Sequence, residues 1–82
     1  MEKESAYANF DEGVIEYFNR NYREAIGLFD KQISLMPEMP EVFLYRGNAK
    51  FVLDDIRGAC ADWRKALELG SKEAVKYARK YC

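Results

Sequence analysis

The sequence predicts an all-α fold of five helices, each antiparallel to the next, built as two helix-turn-helix repeats and a closing helix. Three observations predict it. Apolar residues recur at helical spacing along nearly the whole chain, and strand-like alternation is absent. Short breaks divide that pattern at Asn19-Arg20-Asn21, at Met36 to Pro40, at Asp54-Asp55 and at Gly70-Ser71. The pattern also returns at a fixed offset of 34 residues. With 49% hydrophobic residues in 82, the chain forms a core, and its length allows one small domain, 1–82.

The breaks place helices over 4–18, 22–35, 40–53, 56–69 and 71–81. In the first, Tyr7, Phe10, Val14 and Tyr17 fall on one face, at i, i+3, i+7 and i+10. The second carries Tyr22, Ala25, Phe29 and Ile33, and the fourth matches it with Ile56, Ala59, Trp63 and Leu67. The third repeats the first: Gly13 pairs with Gly47 and Tyr17 with Phe51. Connections this short make successive helices antiparallel neighbours.

At this register the residues resemble the tetratricopeptide repeat, whose unit reads W-x2-L-G-x2-Y, then A-x3-F, then P. Repeat one, 6–39, supplies Gly13, Ala25, Phe29 and Pro37. Repeat two, 40–73, supplies Phe43, Gly47, Ala59, Trp63 and Ala66. The resemblance implies a short right-handed α-solenoid. Small residues at Gly13, Ala25, Gly47 and Ala59 would let the helices of one unit approach, with Phe29 and Trp63 filling the space beside them. Residues 71–82 begin like a third unit but place Tyr81 where the glycine should fall, so a capping helix is expected there. The stretch from Gly58 to Cys82 also resembles the C-terminal end of certain bacterial repeat proteins, which implies a bacterial origin.

The family resemblance implies a concave groove lined by first-helix side chains, which binds extended or helical peptides. Carried over to this chain, the groove is Tyr7, Phe10, Val14, Tyr17 and Phe18 from the first unit with Glu41, Leu44, Asn48, Phe51 and Val52 from the second. Tyr7, Phe10, Tyr17, Leu44 and Phe51 are expected to be partly exposed, and Val14, Phe18 and Val52 to pack inward. A subclass of the family clamps chaperone C-terminal carboxylates with lysines and asparagines. Its positions here are Phe10, Val14 and Tyr45, which offer no such donors, so chaperone tails are not the expected ligand. Asn9, Glu12 and Glu16 replace large apolar residues of the family pattern, which leaves the first helix facing water. Arg46, one period after Glu12, is a candidate partner for it across the stack.

Function classes narrow quickly. The absence of histidine excludes Ser-His and Cys-His catalytic pairs and histidine metal sites. Neither a metal nor a cofactor is expected. A net charge of −1 argues against a nucleic-acid binder. The layout is less even: residues 1–41 carry nine acids and four bases, residues 42–82 nine bases and five acids. Ordinary solvated surface is the first reading of this layout; the sharper alternative is an acidic end and a basic end that attract in head-to-tail stacking. No apolar run is long enough to span a membrane and no signal peptide is read at Met1-Glu2-Lys3-Glu4, so a soluble chain is expected. Cys60 and Cys82 lie about 15–18 Å along their helices from the turn at Gly70-Ser71 by the 1.5 Å helical rise. Either Cys60 is buried and inert with Cys82 frayed, or a disulfide staples the last helix. The first reading goes with a cytoplasmic protein, the second with a periplasmic one. The expected function is non-enzymatic binding of a protein or peptide; the alternative is a homodimer formed through the same groove.

Overall fold

A computed structural model describes residues 5–82. Five α-helices follow in order: α1 (Ala8–Phe18), α2 (Tyr22–Leu35), α3 (Pro40–Val52), α4 (Ile56–Glu68) and α5 (Ala74–Tyr81). Among the described residues there is no strand. Each helix packs on the next, α1 also touches α3, and the whole measures 46 × 25 × 17 Å. No described helix is long and apolar enough to cross a membrane.

Two helices start later than expected from sequence. Position 4 lies outside the described residues, and Ser5 to Tyr7 form a turn in which Ala8 N–H donates to the Ser5 carbonyl. At the other end Ser71 N–H donates to the Ala66 carbonyl, which closes α4. Residues 71–73 are then needed to turn the chain, and α5 begins at Ala74 and not at 71.

The three tight turns share one chemistry. Arg20 and Asp54, 34 residues apart, have φ of 66° and 69°, and Gly70 has 104°. Each is followed by an N–H that reaches back over the last helical turn: Asn21 to Glu16, Asp55 to Lys50 and Ser71 to Ala66, all at 2.8 Å. A left-handed residue with this pair of bonds is the Schellman helix end. Asp55 also starts α4, its carboxylate accepting from Gly58 N–H at 3.0 Å. Pro40 opens α3, where a missing N–H costs nothing.

The core has two clusters. Ala25, Phe29 and Val42 form one, with Phe10, Val14 and Tyr45 against it. The larger holds Phe43, Leu44, Ala59, Cys60, Trp63, Ala66 and Ala74, and Ile33 packs on both. The glycines act as the repeat register requires. A Cβ on Gly13 would meet the Phe29 ring at 2.5 Å; one on Gly47 would meet the Trp63 ring at 2.8 Å and the Ala59 carbonyl at 3.2 Å. The large rings occupy the space that the missing side chains leave.

Arg46 does not pair with Glu12. Its Nε and Nη2 donate to the Asp62 carboxylate at 2.9 and 2.8 Å, and Nη1 donates to Asp30 at 2.8 Å. Lys50 joins Asp62 at 3.1 Å. The hydrogen bonds to Asp62 raise the Arg46 pKa above its ordinary value, with burial opposing and Asp30 assisting, so the group stays charged. Asp62 is 4% exposed and an unpaired carboxylate there would be costly, which is why Arg46 turns inward. The pairing fixes α3 to α4 and, through Asp30, to α2.

Gly47→Ala should cost about 1–3 kcal/mol by overpacking the Trp63 contact. Gly27, whose Cβ position has nothing within 4 Å, should give the opposite result: Gly27→Ala gains about 0.5–1 kcal/mol of helix propensity. Urea unfolding of the two variants beside the wild type measures both signs.

Candidate functional site

The first helices of the successive units, α1, α3 and α5, converge on a pocket of about 150 Å³. Tyr17 comes from α1, Asn48, Phe51 and Val52 from α3, and Tyr77 and Tyr81 from α5, while Trp63 of α4 also lines it. Trp63 is 1% exposed, so what it offers is a buried floor. Its ring stacks on Tyr77 at 5.4 Å with planes 20° apart, and Phe51 lies 5.7 Å from Trp63 and 4.3 Å from Tyr81. Lys76 and Lys80 place their ammonium groups 5.1 and 5.3 Å from the centroids of Tyr77 and Tyr81.

Asn48 is the polar element of this surface. Its Oδ1 accepts the Trp63 indole N–H at 2.9 Å, and Tyr17 lines the same pocket. Burial raises the Tyr17 pKa above its ordinary value, with Asn48 pulling partly the other way. The phenol is therefore neutral at physiological pH, and the pocket offers apolar rings with one amide.

The groove residues expected from sequence divide. Tyr17, Asn48 and Phe51 meet in the pocket. Phe10 and Val14 are half-buried against the first core cluster, Phe10 lying 5.9 Å from Tyr45 and 6.2 Å from Phe29. Tyr7 is exposed ahead of α1. Leu44 is not part of an exposed groove: at 6% exposure it belongs to the larger core cluster. Phe18 and Val52, expected to pack inward, are 68% and 52% exposed. The cause is the position of α3 between α2 and α4, which turns Leu44 inward and leaves the helix's last turn, with Val52, at the edge. Glu41 is exposed.

Tyr77 and Tyr81 were not among the groove residues read from sequence. An aromatic pair four residues apart on the closing helix is the signal that could have found them. Gly47 and Tyr81 occupy equivalent register positions. A second-helix ring presses on Gly47, whereas Tyr81 meets Phe51 and Trp63 from the open side. The position is thus free to carry a large ring.

Cys60 and Cys82 are joined as a disulfide, with Cα atoms 5.8 Å apart. The bond pins the end of α5 to α4 beside Tyr81. It thereby holds one wall of the pocket in place.

No family model matches the chain, and no curated protein matches it.

Replacing Cys82 by Ser should cost about 2–4 kcal/mol, the range for closing a loop of this size. Denaturation with and without reductant measures it, and reductant should have no further effect on the variant. Asn48→Leu leaves the buried indole N–H unpaired and should cost about 1–3 kcal/mol. The fluorescence of the single tryptophan, shifted in the folded variant, reports the lost bond directly.

Proposed function

We propose that this protein is a tetratricopeptide-type interaction module that binds a peptide or partner segment without catalysing a reaction. The observation that carries the reading is the pocket where α1, α3 and α5 converge, on the side that first helices present in the family the sequence resembles. An aromatic floor with one fixed amide suits an apolar anchor side chain. Exposed Val52 at its edge adds apolar surface that a docked segment would cover. The two repeats and closing helix of the sequence match the five packed helices, which supports the family reading. The Cys60–Cys82 bond supports an oxidising compartment, a bacterial periplasm in keeping with the bacterial resemblance.

A random peptide display library selected on the 82-residue chain should return peptides sharing one aliphatic or aromatic position. Val52→Asp places a charge at the pocket edge without touching the core, and should weaken those peptides by about tenfold or more, the loss of an interface anchor. Peptides that bind Val52→Asp and wild type equally would show that the pocket is not the binding site.

A further inference from the structure

A second surface stands apart from the concave pocket. On the outer side of α1 and α2, a groove of about 440 Å³ runs between Glu12, Ile15 and Glu16 on one helix and Glu24, Leu28 and Lys31 on the other. Ile15 is 59% exposed, Leu28 is half-buried, and a Cβ on Gly27 in the groove wall would meet nothing within 4 Å. The groove thus has an apolar centre, a wall lowered by glycine, and a rim of three carboxylates against one amine. No described residue covers it.

The repeat register shows what kind of surface this is. Glu12, Ile15, Glu16 and Leu28 stand 34 residues before Arg46, Ala49, Lys50 and Asp62. In the second unit that face is an interface: α2 packs on α3, Asp30 reaches Arg46, and Ala49 is fully buried. The face in the first unit is the same helix-accepting surface, left open and made acidic where its counterpart holds a closed ion-pair network.

The other end of the stack carries the opposite charge. Ala74, Tyr77 and Ala78 of α5 pack onto the core, while Lys76, Arg79 and Lys80 are exposed, with Lys72 just ahead of the helix. Glu73 is the single acid among them. Packing proceeds from each helix to its neighbour, so the acidic groove belongs to the first helix pair and the basic helix closes the other end of the order, packed on α4.

We propose that the groove between α1 and α2 receives the α5 helix of a second copy, so that the chain stacks head to tail. The contact is heterologous, because each copy offers a groove at one end and a helix at the other. It propagates from copy to copy unless the rotation closes a ring. The lysines and Arg79 meet the rim carboxylates, and the apolar centre at Ile15 and Leu28 takes the stems of those long side chains.

Sedimentation velocity of the 82-residue chain should show a mass that rises with concentration and passes beyond a dimer. Raising salt from about 0.1 M to about 1 M, which shortens the screening length from about 10 Å to about 3 Å, should weaken the association by about tenfold or more. Two variants decide the geometry: Glu12→Lys with Glu16→Lys spoils the groove, and Lys76→Gln with Arg79→Gln spoils the helix without giving it the opposite charge, so that it cannot pair with the lysine groove. Both sets are exposed or at the surface, and circular dichroism confirms that each folds. Each variant alone should be monomeric. Their equimolar mixture should form a heterodimer that grows no further, because one variant keeps its α5 and the other its groove. A wild type that stays monomeric throughout, or a mixture that stays monomeric, would overturn the proposal. So would a helix variant that still dimerises by itself, which would indicate a symmetric contact through the groove or the concave pocket.

Discussion

The contact between the Trp63 ring and the bare backbone of Gly47 is the one on which the rest of the structure depends. It lets α3 and α4 approach closely, and the ring fills the space that results. Once there, the indole has a single donor to satisfy, and Asn48, one residue beyond Gly47, accepts it. The same ring presents its other side to Tyr77 and Tyr81, so the helix that closes the stack is positioned by the residue that closes the repeat. Packing inside the second unit, the floor of the pocket and the seat of α5 are therefore one piece of geometry. In the first unit Phe29 and Gly13 make the same contact with a smaller ring and no donor.

Buried polar side chains fix the register that these rings fill. Gln32 is fully buried; its amide donates to the Ala6 carbonyl and its Oε1 accepts from Phe10 N–H, each at 2.9 Å. Helix α1 has no side-chain cap of its own, and Gln32 supplies one from the neighbouring helix. Asp62 does comparable work between α3 and α4 with Arg46 and Lys50. Among the described residues no buried side-chain polar atom lacks a partner. A slip of either helix would break such a bond and leave a group unsatisfied in an apolar setting, which costs more than the bond contributes. Shape alone would allow sliding; these groups do not.

The helices, their turns and the glycine–ring contacts were legible in the sequence because each depends on neighbours a few residues apart or on a strict period. Arg20 and Asp54 occupy the same place in two units and take the same left-handed conformation, so one turn explains the other. The site was only half legible. Helix α3 buries Val42, Phe43, Leu44 and Ala49, residues spread around most of its circumference, because it is packed by α2 on one side and α4 on the other. Periodicity cannot say which part of such a helix stays open, and the exchange of roles between Leu44 and Val52 follows from that. Arg46 was matched to the acid one period away, whereas the acid that binds it is the buried one across its own unit, where the field is stronger. The pocket needed α5 to be in place, and nothing local to α1 or α3 encodes where α5 lies.

Helix α5 is eight residues long, too short to persist by itself in water. It stays formed through Ala74, Tyr77 and Ala78 on the core and through the Cys60–Cys82 bond at its far end. Its tyrosines also wall the pocket, so the order of this helix and the shape of the pocket are the same variable. A segment seated between Tyr77, Tyr81 and Phe51 would hold α5 down, and by reciprocity a pinned α5 would hold the segment more tightly. Reducing the disulfide would release the end of α5 and so weaken the hold on such a segment, while an occupied pocket would resist reduction by the same free energy. The Cys60–Cys82 bond is thus coupled to the pocket through one short helix.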